Sequence, residues 1–213
     1  METQTGFMKL RNIFFVALVV ATALIVFYSL QEKDSGKEYE AEIAHERQAK
    51  DNFMRSSDES PFRKEKKSFS KLNYFPIDVN YRISARLESI KNKKVVVLPT
   101  SDGFKKKYLE YGFAEFELND EPCRLLILEI MEEGPYRGTL FLAFADATSA
   151  GETYGAGRYL DVKKTPGASS ITLDFNQSYN PYCAYAETYS CPFPPKENVL
   201  KAAIRAGEKT YHD

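Results

Sequence analysis

"FAEFELNDEPCRLLILEI", residues 113–130, decides the fold. Its two short apolar runs, "FAEFEL" (113–118) and "CRLLILEI" (123–130), are parted by Asn119-Asp120-Glu121-Pro122, residue types that favour turns, so the stretch reads as an antiparallel hairpin. Downstream, "MEEGPYRG" turns into "TLFLAFAD" (139–146) and extends the hairpin to a meander. Upstream, "YRISARLE" alternates Tyr81, Ile83, Ala85 and Leu87 with Arg82, Ser84, Arg86 and Glu88, the period of a strand with one buried face. "KVVVLP" (94–99) is a further short β-branched run. "GRYLDV" and "SSITLDFN" flank the turn-rich "KKTPGAS" and are expected to pair antiparallel. The C-terminal "KENVLKAAIRAGEK" fits either a helix stopped by Gly207 or a strand carrying Leu200, Ala202, Ile204 and Ala206 on one face, and the strand is favoured. The fold class that follows is mainly β: an antiparallel barrel or sandwich of about seven or more short strands.

With 213 residues, 43% of them hydrophobic, the chain is long enough for one domain with a real core and short for two. Lys and Arg total 29 against 30 Asp and Glu, so no basic excess points to nucleic acid. "IFFVALVVATALIVFYSL" (13–30) is an uncharged block of eighteen residues, about 27 Å as a helix and close to the thickness of a bilayer core. It is longer than the apolar part of a cleaved signal, so an uncleaved anchor is favoured over a signal peptide. Lys9 and Arg11 before it favour a cytoplasmic N-terminus, which places everything after Gln31 on the extracytoplasmic (periplasmic) side. The expected organisation is a cytoplasmic tip and anchor over 1–31, a charged, solvated helical spacer over 32–60 and the β-rich domain over 61–213.

Outside the cytoplasm oxidised cysteine pairs persist. Cys183 and Cys191 lie eight residues apart in a loop-like stretch and are open to three readings: a disulfide, two reduced buried thiols, or a metal-binding or catalytic role. Cys123, inside an apolar run, reads as a core residue. His45, in the charged spacer, and His212, near the C-terminus, are the two histidines, so a Ser-His or Cys-His dyad inside the domain and a multi-histidine zinc site are both disfavoured. Catalysis, if present, falls to carboxylate or cysteine chemistry.

Two segments concentrate polar and aromatic residues. "GETYGAGRYLDV" (151–162) has glycines able to take positive φ beside Arg158, with Arg158 on the core-facing side of its strand and Asp161 on the other; it matches no known phosphate-loop spacing. "DFNQSYNPYCAYAETYSCP" (174–192) adds carboxylate, amide and phenol groups. The two are expected to wall one site for a small polar or anionic ligand. Glu152, Tyr154, Gly155, Gly157, Arg158, Asp161, Asp174, Asn176, Tyr179, Asn180, Tyr182, Arg205 and Glu208 are its candidate residues. Arg158 and Arg205 supply positive charge there, Asp161 and Asp174 orient them, and the tyrosines and Asn180 form a wall. No cofactor or metal is named by these residues. An envelope protein partner docking on the spacer is the rival reading.

From about Phe53 to Tyr211 the chain resembles a bacterial and archaeal family known as domain of unknown function 1684. The likeness lies in "FRKEKKSFSKLNYFPID", "FADATSAGETYGAGRYLDV", "LDFNQSYNPYCAYAETYSCPFPPKENVL" and "IRAGEK", in that order. Proline often stands in relatives at the place of Lys201, which would favour a strand there. The resemblance implies membership and no activity.

Overall fold

The structure, a computed structural model, describes residues 3–211, and for 3–14, 16, 19 and 23–35 it describes the helical course alone. Helix α1 (Thr3–Ser56) opens the chain. The anchor expected at 13–30 falls mostly on residues whose side chains are outside that description, and His212 lies outside the described residues altogether. Among the described residues no helix is long and apolar enough to cross a membrane. Two compact units divide the chain after Glu42, and the second, from Ile43, contains every strand.

The division at Ile43 moves the expected domain boundary. The arm expected to be solvated to residue 60 belongs to the β unit from Ile43 onward, where Ile43 and Met54 are buried. Apolar residues are sparse in this stretch because polar bonds do most of the attachment. Arg47 donates to the carbonyls of Phe75 (2.8 Å) and Asn176 (3.2 Å), and Asp51 accepts the Leu72 amide at 3.1 Å. Met54 joins Phe62, Leu72 and Tyr185 in a small core of its own. A short helix α2 (Pro61–Lys64) follows, with Ser60 as its cap and proline at its first turn, where a missing N–H costs nothing.

The strands are β1 (Arg82–Ser89), β2 (Val95–Pro99), β3 (Lys105–Leu118), β4 (Glu121–Ile130), β5 (Leu140–Phe144), β6 (Arg158–Val162) and β7 (Ser170–Asp174). They form one antiparallel sheet in the order β6-β5-β4-β3-β1-β7, with β2 on the first half of β3. The sheet is a curled half-barrel, neither a closed barrel nor a sandwich. The deciding hairpin is present and tighter than its composition suggests. Asn119 and Asp120 alone make the turn, at φ +53° and +62°, the left-handed pair that suits the twist of a two-residue hairpin. Glu121 and Pro122 already belong to β4, opposite Leu118 and Glu117.

Two expectations fail here. Strands β6 and β7 do not pair; β6 lies against β5 and β7 against β1, at opposite ends of the sheet. Curling brings these two ends into contact, so neighbours in sequence meet as sheet edges and not as a hairpin. The C-terminal 199–211 forms no strand. Val199 makes one parallel bridge to Ala145 and Glu208 one antiparallel bridge to Tyr74; the rest runs irregularly, held by backbone bonds and by side chains described below.

Strands β4 and β5 are buried on both faces, which accounts for their unbroken apolar runs. Leu125, Ile127, Leu142 and Leu160 face the core inside the curl with Leu173, Phe175 and Ile204. Leu126, Leu128, Phe141 and Tyr159 face the other way, against Leu98, Tyr108 and Cys191. Each such aliphatic side chain contributes about 1.5–3 kcal/mol by leaving water.

Candidate functional site

Asp146 follows the end of β5. Its Oδ1 accepts from the Thr148 amide (2.8 Å) and hydroxyl (2.6 Å), an Asx turn written locally in Asp-Ala-Thr, and this leaves Oδ2 aimed across at β6. There the Arg158 Nη2 donates to Oδ2 at 2.9 Å and to the Ile204 carbonyl at 2.8 Å. Nη1 donates to the carbonyls of Ala206 and Glu208. Arg158 and Asp146 side chains are 1% and 0% exposed. Burial pulls the guanidinium down from its ordinary value and Asp146 opposes that shift, so the cation persists. Gly157 lets the chain enter β6 so close to β5: at φ +89° a Cβ there would stand 2.5 Å from the Phe144 carbonyl oxygen.

Glu208 is the second buried centre. Its carboxylate accepts from Lys50 (2.9 Å), the Asn180 side chain (2.9 Å), the Asn180 amide (3.3 Å) and the Tyr185 hydroxyl. Lys50 also lies over the Tyr179 ring, 4.6 Å from its centroid. Burial, and then Glu208, hold the Tyr185 phenol well above its ordinary value, so it stays a donor. The hydroxyl of Tyr74 and Oδ1 of Asn180 are buried with no hydrogen-bond partner among the described residues.

The two segments that were expected to share a site do come together. Tyr159 and Tyr179 exchange both backbone hydrogen bonds (2.8 and 3.0 Å), and the Tyr154 hydroxyl reaches Cys183. They meet each other, however, and not a hollow. Arg158 is spent on the 204–208 backbone, and Asp146, not Asp161 or Asp174, orients it. Asp161 accepts from the Tyr179 hydroxyl at 3.0 Å at the surface. Asp174 caps the short 3-10 turn at 175–177, while the Asn176 amide group donates to the Asp78 carbonyl at 2.7 Å and accepts from its N–H at 3.0 Å. Both serve a turn-to-turn tie. Tyr182 packs edge-on against Tyr189, with ring centroids 5.2 Å apart. A Cβ placed on Gly155 would stand 3.4 Å from that of Ala150.

Arg205 also parts from Arg158. It is exposed and its Nε donates to Glu152 at 2.9 Å. Glu152 lies on a cleft of about 300 Å³ whose other lining residues are Asn73, Tyr74, Gly151, Lys209 and Thr210. Main-chain bonds from Thr210 to Glu152 and from Lys209 to Asn73 shape its walls. Asn73, Tyr74 and Lys209 are absent from the expected ligand set, as are Asp146, Tyr185 and Lys50 from the buried centres. Of these, only the Asp-Ala-Thr turn carries a local signal.

Cys183 and Cys191 are free thiols in contact: the Cys183 N–H donates to the Cys191 sulfur at 3.2 Å. A hydrogen bond from the Cys191 thiol, with another from the Tyr154 hydroxyl, brings Cys183 down to about 6 against the opposing effect of burial. Cys191 is pushed up, first by that same bond and then by burial. Burial and the neighbouring Cys183 push Tyr154 up to about 12. Cys123 is buried in the main core, as expected, and burial raises it. No group of three or more His, Cys, Asp or Glu residues is placed to hold a metal ion among the described residues.

None of the curated proteins compared with the chain matches it. A solved structure does: the solution NMR structure of an uncharacterised protein from Haloarcula marismortui is similar at a TM-score of 0.62, with 33% identity over 83% of this chain and 97% of that one. The model of the family described as "Protein of unknown function (DUF1684)" matches residues 67–209, a span that holds every strand, the Arg158 centre, Glu208 with all its partners but Lys50, and the cysteine pair. The chain therefore belongs to the domain of unknown function 1684 family.

Proposed function

We propose that this chain is a membrane-anchored β domain on the extracytoplasmic side that binds a small polar ligand, preferably one bearing an anionic group, in the cleft beside Glu152 and Lys209. The observation that carries the reading is the cleft itself. It holds Glu152, a solvent-reaching member of the expected ligand set, with Lys209 on its wall and Arg205 paired to Glu152 as cations beside that carboxylate. An anionic group can take the place of Glu152 at Arg205 and reach Lys209 while polar groups meet the cleft walls. The anchor rests on the uncharged 13–30 block behind Lys9 and Arg11.

The test is an amide-resolved NMR titration of the full chain in detergent micelles with inorganic phosphate, acetate and citrate. Saturable shifts at Gly151, Glu152, Lys209 and Thr210 that vanish in Lys209→Met support the reading. Silence at these amides with all three probes, or shifts indifferent to Lys209→Met, overturns it. Resistance to alkaline extraction, with protease cleavage of the domain from outside the membrane, is expected for the anchor.

A second reading, an interaction module of the envelope, draws on the internal hydrogen bonds of Arg158 and Glu208. Buried polar groups tied to several chain segments hold a shape, and a shape can serve a protein partner as well as a small molecule.

A further inference from the structure

Outside the cleft, the two cysteines of the 182–192 loop form a cluster of nucleophilic groups. Cys183 begins as part of the short 3-10 turn Tyr182–Ala184, and Cys191 returns from the loop that follows. Two features of the sheet hold the return in place. Thr100, just past β2, bridges Pro192, and the Ser101 hydroxyl accepts the Cys191 N–H at 3.1 Å while donating to the Tyr189 carbonyl at 2.9 Å. On the far side the Tyr159 hydroxyl donates to the Pro192 carbonyl at 2.7 Å. The Cys191 sulfur is thus fixed against the main chain of Cys183, 3.2 Å from its nitrogen, by contacts that do not involve the sulfur itself.

The two thiols differ in access. Cys191 is buried, 7% exposed, whereas Cys183 is only half-buried, with the Tyr154 hydroxyl donating to its sulfur at 3.9 Å. A reachable sulfur surrounded by donors, backed by a second, sheltered sulfur, is the arrangement of an attacking and a resolving thiol.

We propose that Cys183 and Cys191 form a thiol–disulfide exchange centre, in which Cys183 attacks a disulfide-bonded co-reactant and Cys191 resolves the product. The Cys183 thiolate attacks one sulfur of R–S–S–R′, forming a Cys183–S–S–R bond and releasing R′–S⁻. Cys191 gives up its proton to solvent and attacks the Cys183 sulfur. The Cys183–S–R bond breaks, R–S⁻ leaves, and the Cys183–Cys191 disulfide remains. Two electrons pass from the cysteine pair to the co-reactant's disulfide, and excess R–SH reverses both steps. The hydrogen bonds onto Cys183, which bring its titration down to about 6, make the thiolate available at neutral pH. The resolving Cys191 stays protonated until the mixed disulfide forms; the first cause of its elevated value, its bond to the Cys183 thiolate, is lost at that step, which leaves burial as the remaining upward influence. This centre is separate from the cleft and does not depend on it.

The experiment uses the full reduced chain, folded, in two arms. In the first, each cysteine's alkylation by iodoacetamide is followed by mass spectrometry from pH 5 to 9. Cys183 is expected to react with a midpoint near pH 6 and, at pH 7, at least tenfold faster than Cys123 or Cys191. In the second, the chain is equilibrated with oxidised and reduced glutathione. Wild type should end as the Cys183–Cys191 disulfide, Cys191→Ser should accumulate glutathione on Cys183, and Cys183→Ser should take up none. The proposal is overturned by a Cys183 midpoint at the ordinary thiol value of about 8.5. It is equally overturned if the wild type retains glutathione on Cys183, or if no disulfide forms in the folded chain under oxidising glutathione. The alkylation arm needs no variant, so a variant that failed to fold would not shield the proposal.

Discussion

Arg158 and Arg205 each meet a carboxylate at 2.9 Å, Asp146 in one case and Glu152 in the other, and the two pairs do opposite jobs. The Arg158 pair is closed, with side chains 1% and 0% exposed, whereas those of Arg205 and Glu152 are 60% and 41% exposed. In the interior every charge must be met by the protein itself, and Arg158 gathers Asp146 together with the carbonyls of the strandless 204–208 segment. At the surface water shares the load, so the Arg205 pair can open for another anion at little loss. The same pairing therefore acts as a rivet in the interior and as an exchangeable contact at the surface.

The widest separation between the two pairs should appear on removing each arginine. Arg158→Leu leaves Asp146 and three carbonyls buried without their donor, an expected loss of about 3–5 kcal/mol. Urea denaturation should show the midpoint falling by about 2 M, or no folded protein at all. A near-normal midpoint would break the comparison.

Glu208→Gln probes the intermediate case, a buried carboxylate whose lysine partner is 26% exposed. The amide can still accept from Tyr185 but no longer balances Lys50, so about 1–3 kcal/mol should be lost. The loss should be local: amide exchange over 43–56 should speed up before that of β4 does.

The cysteines give the contrast a pH dependence. Cys183 titrates lower in the folded chain, about 6, than unfolded, about 8.5. Its contribution to stability is thus fully present above the unfolded value and is lost as pH falls through 6. Cys191, raised on folding, acts in the other direction and removes stability above about pH 8.5, where only the unfolded chain ionises it. With reductant present, thermal melts should therefore show stability rising from pH 6 to about 8.5 and falling beyond, and Cys183→Ser should abolish the rise.

The smallest effect belongs to Arg205→Ala. Its exposed pair should be worth at most about 0.5 kcal/mol, within the error of most melts, while binding of phosphate at the cleft should weaken measurably. A large stability loss would place this pair with the rivets.

Much of the sheet was legible because its signals are local. Alternation in 81–88, unbroken apolar runs in 125–128 and 140–145, and turn residues at 119–120 each report on neighbours in the chain. The false pairing of 158–162 with 170–174 arose from the same habit: a turn between two strands reads as a hairpin, and nothing local tells that the sheet curls and returns them as opposite edges. The site was half legible. Glycine, arginine and tyrosine density drew attention to two polar segments, but whether Arg158 faced a ligand or a backbone depended on where residues 204–208 came to lie, forty-six to fifty residues away. Helix residues 43–56 looked solvated because Arg47, Lys50 and Asp51 bond to buried groups through charges that, read alone, belong in water.

What the chain's own order of residues determined is a β meander, its family, and an uncharged N-terminal block, since periodicity, turn chemistry and long motifs are written in adjacent positions. Tertiary structure alone decided which arginine is buried, that the last thirteen described residues lie in the domain without a strand, and that two sulfurs meet. Those outcomes turn on desolvation, and a side chain's access to water is set by segments far from it in sequence.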